Sequence, residues 1–131
     1  MRDFLLARGC QLLYQQAIDP AIGLDFIRLS HDDTGLGIDM EAITTDYEEE
    51  AIRRATFLDA TQPVPSATPE DLIILKLIAN RSKDHKDLID LVVMTGLDWP
   101  YIRRWAEEWQ VTDRLEDLLT LTADDERRGP V

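Results

Sequence analysis

The hydrophobic pattern changes period near the middle of the chain. In LGIDMEAI, residues 36–43, Leu36, Ile38, Met40 and Ala42 fall on one side and Asp39 and Glu41 on the other. That alternation is the period of a strand with one covered face. LDFIRLS, residues 24–30, precedes it, and the HDDTG between them supplies Asp and Gly turn chemistry, so the pair predicts a β-hairpin. Upstream, FLLARGCQLLYQQ at 4–16 carries Phe4, Leu5, Leu12 and Leu13 among good helix formers. It reads as a short amphipathic helix weakened or ended near Gly9, with a turn at DPAIG, 19–23.

Downstream the spacing becomes helical. DYEEEAIRRA, 46–55, predicts a short helix capped by Asp46, with Glu48 to Glu50 favoured by the helix dipole. TFLDATQPVPSA, 56–67, holds one or two short strands, which Pro63 and Pro65 confine to edges or ends. Thr68 then caps a helix with Pro69 at its first position and Asp71 three residues after the cap, close to a capping box. This helix is apolar nearly all round from Leu72 to Ala79 and is predicted to be the central buried element. Ser82 can cap another helix ending at Gly96, and Asp98 a third with Ile102, Trp105, Ala106 and Trp109 on one face. A last helix starts at Thr112 or Asp113 and runs through Leu119 or Leu121. The expected whole is a single α+β domain over 1–122, a small mixed or antiparallel sheet with a hairpin packed against C-terminal helices, and a flexible tail at 123–131.

Composition narrows the function classes. With 26 acidic and 14 basic side chains, the chain carries a net charge of −12 and repels a phosphate backbone. Each RR pair, at 53–54, 103–104 and 127–128, lies beside several acids, which argues against nonspecific nucleic-acid binding. No apolar stretch approaches a membrane span and no apolar leader follows Met1, so the cytoplasm is the default compartment. Cys10 stands alone, which leaves no disulfide framework and no thiolate metal site; it reads as a small buried hydrophobe. His31 and His85 lack ligand-spaced neighbours, the glycines are scattered rather than gathered in a phosphate loop, and the three tryptophans read as helix packing.

Carboxylates and two cations remain. Asp39 lies between apolar strand neighbours, where it is either a presented carboxylate or an acid on a solvated face. Asp84 and Asp87 share a helix face at i, i+3. Lys76 sits among the apolar residues of TPEDLIILKL, where it either snorkels to water or is paired. Asp84 and Asp87 follow it by eight and eleven residues, about 80° and 20° around an unbroken helix axis. The Lys76 ammonium is expected to reach Asp39, Asp84 or Asp87, and a break near Asn80 would let the second helix, with Asp84 and Asp87, fold back toward it.

The order of these segments resembles the C-terminal half of nucleotidyltransferase-fold proteins of the AbiEii toxin type and their uncharacterised relatives. The resemblance is carried by ATPEDLIILKL, 67–77, followed by R-x-x-D-x-x-D, 81–87, and it spans about residues 20 to 110. It implies that Asp39 is the third catalytic carboxylate and a metal ligand. Lys76 and Asp84 become catalytic-motif residues, with Arg81 and Asp87 toward the substrate, a nucleoside triphosphate, and Mg²⁺ as cofactor. Such proteins carry an N-terminal G-G/S turn and a D-x-D pair before the hairpin. RGC at 8–10 is no such turn, and Asp3 has no acidic partner two residues before it. The expectation is therefore a truncated or degenerate nucleotidyltransferase-fold protein, inactive alone and acting as a binding or scaffold module. A homodimer or a partner chain would cover the missing half. The alternatives are an active nucleotidyltransferase completed by another chain, acting on a protein or RNA acceptor, and an unrelated α+β interaction protein.

Overall fold

A computed structural model describes residues 1–19, 21 and 24–128. The chain is α+β, as its pattern predicts, and divides into two compact units, residues 1–45 and 46–131.

The first unit holds α1 (Arg2–Leu6), β1 (Cys10–Asp19), β2 (Leu24–His31) and β3 (Gly37–Met40), with the strands in the order β1-β2-β3 and all antiparallel. The hairpin forms as predicted. Gly35, at φ +66°, donates its N–H to the His31 carbonyl at 2.8 Å and closes the turn. The register places Arg28 opposite Asp39 and Leu29 opposite Ile38. Asp39 is exposed while Ile38 and Met40 are half-buried, so the alternation holds, although β3 stops two residues short of Ala42.

One element departs from the sequence reading. The helix stops at Leu6, Gly9 turns the chain at φ +76°, and residues from Cys10 onward form a strand instead of a second helical stretch. Local helix propensity in QLLYQQ loses to pairing with LDFIRLS, which runs from Cys10–His31 to Asp19–Leu24. The turn expected at 19–23 includes residues 20, 22 and 23, which lie outside the described residues.

The second unit holds α2 (Asp46–Arg54), the hairpin β4 (Thr56–Asp59) and β5 (Gln62–Ser66), then α3 (Pro69–Ala79), α4 (Ser82–Val92), α5 (Trp99–Glu108) and α6 (Thr112–Arg128). Its core gathers Tyr47 and Ala51 of α2, Ile73, Ile74 and Leu77 of α3, Leu88 of α4, Ile102 and Ala106 of α5, and Leu115 of α6. Apolar burial on this scale is the main stabilising term of the unit. Thr68 caps α3 as predicted, its hydroxyl accepting the Asp71 N–H, and Asp98 caps α5 by accepting the Tyr101 N–H. The cap of α4 is Arg81 rather than Ser82, and that helix ends at Val92 rather than Gly96. Helix α6 continues to Arg128 and takes in residues 123–128, which the sequence reading assigned to a tail.

Candidate functional site

The corner between α3 and α4 brings four of the candidate residues together. Helix α3 ends at Asn80, which takes the left-handed conformation at φ +49° and donates its N–H to the Lys76 carbonyl. Asparagine tolerates that conformation better than most residues, so the chain can reverse there without glycine. The reversal starts α4 beside the last turn of α3. Lys76 Nζ then lies 2.6 Å from Asp87 Oδ2 and 3.3 Å from Asp84 Oδ1. Of the two accounts of Lys76, the structure shows the paired one. Its side chain is 21% exposed, so the pair is partly desolvated and partly wet.

Asp84 is the centre of this cluster. Its side chain is 1% exposed and meets the Arg81 guanidinium edge-on, Oδ2 to Nε at 2.7 Å and Oδ1 to Nη2 at 3.2 Å. The Arg81 backbone N–H also donates to Oδ2 at 3.3 Å, which satisfies one of the first N–H groups of α4. The hydrogen bonds from Arg81 hold the Asp84 carboxyl down at about 2, against the opposing effect of burial and with help from Lys76. The Asp87 hydrogen bond, and then that of Asp84, raise the Lys76 ammonium above its ordinary value, while burial opposes them.

Asp39 belongs to the first unit, where its partner is Arg28 across the hairpin. The guanidinium is again bidentate, Nε to Oδ1 at 2.7 Å and Nη2 to Oδ2 at 2.8 Å. That bonding lowers the Asp39 carboxyl, and both side chains are about half exposed.

The sequence reading treated Asp71 as a capping residue and missed its larger role. Asp71 is fully buried, and its carboxylate accepts hydrogen bonds from the Tyr101 hydroxyl at 2.6 Å and the Thr68 hydroxyl at 2.7 Å. Arg54 Nε lies 3.4 Å away, and its guanidinium sits 3.8 Å over the Tyr101 ring. The Tyr47 hydroxyl donates to the Asp71 backbone carbonyl at 3.0 Å. Burial, and then the neighbouring Asp71, push both tyrosine hydroxyls well above their ordinary range. This network ties α2, α3 and α5 together around one carboxylate. A signal was present: an aspartate stands where a capping box carries the longer Glu or Gln. The shorter arm bonds the Thr68 hydroxyl and leaves its other oxygen to Tyr101.

A separate cleft of about 200 Å³ lies between α3, α4 and α6. Its walls include Leu77, Leu88 and Leu118, with Asn80, His85 and Asp117 among its polar lining residues. Arg114 also lines it and donates to the Leu77 carbonyl at 2.8 Å, closing the end of α3.

A sequence model of the family described as "Nucleotidyltransferase of unknown function (DUF6036)" matches residues 40–121. The chain belongs to this family. The match spans the whole α3–α4 corner and the Asp71 network, and it begins one residue after Asp39. No curated protein is significantly similar to the chain. The sequence resemblance implies Mg²⁺ as the cofactor of a nucleotidyltransferase-like site. Magnesium is held by carboxylate oxygens together with substrate phosphates. Here both oxygens of Asp39 are bound to Arg28, both oxygens of Asp84 to Arg81, and Asp87 to Lys76. Among the described residues no three His, Cys, Asp or Glu side chains converge as a metal cluster. This donor set does not fit the ion.

Proposed function

We propose that this nucleotidyltransferase-family chain does not transfer nucleotides by itself and acts as a binding or scaffold module. One observation carries the reading: the two carboxylates that the resemblance makes catalytic, Asp39 and Asp84, are each clamped by a bidentate arginine. Phosphoryl and nucleotidyl transfer rely on negative side chains holding metal ions against developing charge. A carboxylate neutralised by a guanidinium is a poor donor to such an ion. Bidentate pairs are among the stronger charge-assisted hydrogen bonds, and the Arg81 pair on the buried Asp84 opposes metal entry far more than the exposed Arg28–Asp39 pair does. In this reading Lys76, Arg81 and Asp87 hold the α3–α4 corner in shape, and substrate chemistry is not their task.

The family description supports a second reading, in which a partner supplies the phosphate-holding turn and a carboxylate pair and the complex transfers a nucleotidyl group from a nucleoside triphosphate. Incubating the purified chain with radiolabelled ATP or CTP, Mg²⁺ and cell extract as the source of acceptors separates the two. The first reading predicts no labelled product above a no-protein control. Metal-dependent labelling that disappears in Asp39→Ala would overturn it.

A further inference from the structure

The cleft between α3, α4 and α6 belongs to the second unit alone and shares no carboxylate with the Lys76 cluster. Leu77, Leu88 and Leu118 line it as buried residues, whereas Ile89 and Leu121 of the same lining are 39% and 61% exposed. Apolar area left in water is unfavourable, and an apolar body laid against it recovers about 25 cal/mol for each Å² covered. At about 200 Å³ the cleft is larger than a cavity of roughly 150 Å³, which holds benzene. One ring with a short arm, or a branched chain of similar bulk, is the size it takes.

Charge selects the rest of the ligand. Besides His85, the ionisable groups of the lining are Arg114 and Asp117. Arg114 is committed to α3. Its Nη1 donates to the carbonyls of Leu77 and Ile78 at 2.8 and 3.4 Å, so its charge meets the negative end of that helix dipole. Asp117 has no such partner: among the described residues no cation pairs with its carboxylate. In the neutral His85 ring Nε2 donates to Asn80 Oδ1 at 3.2 Å, which leaves the other nitrogen an acceptor. Both groups favour a donor, and Asp117 favours a positive one, in a chain whose net charge is −12. An anion would face Asp117 and that overall charge together. We propose that the cleft binds a small organic cation, a primary ammonium on an apolar body, with the ammonium at Asp117 and the body against Leu77, Leu88 and Leu118. The inference stands on the second unit's geometry and holds whether or not the chain transfers nucleotides.

Titration of the full ¹⁵N-labelled chain with phenethylamine, followed by NMR, tests the site. Saturable shifts are expected, confined to the end of α3, the first half of α4 and the part of α6 around Asp117. Phenethyl alcohol, the same body without the charge, should bind about fivefold more weakly, the effect of one solvent-screened ion pair. Phenylpropionate should bind more weakly still. In Asp117→Asn the amine should fall to the level of the alcohol while the alcohol's own affinity stays unchanged. The ranking of the three probes on the parent chain decides the matter even if that variant misfolds. No saturable shift, an amine no tighter than the alcohol, a preference that survives Asp117→Asn, or shifts centred elsewhere would overturn the proposal. So would shifts of the same residues on dilution of the free chain, which would seat a second copy in the cleft.

Discussion

The two compact units are built on different terms. Between Met1 and Thr45, the buried positions among the described residues are Cys10 and Leu29. The second unit surrounds α3 with a core of twelve buried residues and adds a sealed polar network around Asp71. The same ion-pair chemistry therefore has different consequences in each. Arg28–Asp39 lies on an exposed hairpin, where solvent screens it and its members are replaceable. Lys76–Asp84–Arg81 is pinned between two packed helices, and one of its carboxylates is removed from water. The family match follows the second unit and reaches the first only at its last residues. The stretch that matches the family thus runs through α2 to α6 and includes the packed α3–α4 corner.

Four changes would break or sharpen this contrast. The largest effect is expected at Asp71. Asp71→Ala strands the Tyr101 and Thr68 hydroxyls and the Arg54 guanidinium, and should cost about 3–5 kcal/mol in chemical denaturation. A loss below about 1 kcal/mol would show that the network does not organise the second unit.

Next comes Lys76→Met, which leaves Asp84 to Arg81 alone. A loss of about 1–2 kcal/mol is expected, since one hydrogen-bonded charge is removed from a partly desolvated cluster. A neutral or stabilising result would favour a lysine that merely snorkels.

Acid should act on the second unit in a defined window. The Asp84 carboxyl has an ordinary value of 3.8 and is held at about 2 in the folded chain. Its contribution to stability is therefore complete above the ordinary value and is lost as pH falls through about 2. The acid-unfolding curve of Arg81→Gln should shift to higher pH relative to the parent chain, because the main cause of the depression is gone. An unchanged curve would remove Arg81 from that role.

The smallest effect belongs to the first unit. Asp39→Asn breaks an exposed pair and should leave the melting temperature unchanged. A clear fall would mean that the hairpin depends on Asp39 more than its exposure allows.

How much of this was legible follows from where the determining interactions lie. The caps at Thr68 and Asp98 and the alternation around Asp39 are local, and each appears in the structure at the residue that the sequence names. The approach of Lys76 to Asp84 and Asp87 was legible because it needs only a turn at Asn80 and helical spacing. Strand β1 was not, since QLLYQQ has good helix propensity and becomes a strand through pairing with residues 24–31. The role of Asp71 was hidden for a similar reason: Tyr101 lies thirty residues further along and Arg54 seventeen residues earlier. Nothing in the sequence spacing joins those three side chains.

The most direct test of the central claim is to watch the two clamped carboxylates in the presence of the expected ligand. The carboxyl carbons of Asp39 and Asp84 can be followed by NMR in the ¹³C-labelled chain as Mg²⁺ and then Mg-ATP are titrated in. If Arg28 and Arg81 hold these groups as the structure shows, both resonances should stay where they are through the titration. A saturable shift of either carboxyl that requires Mg²⁺ and is absent with a matched concentration of Na⁺ would contradict the account.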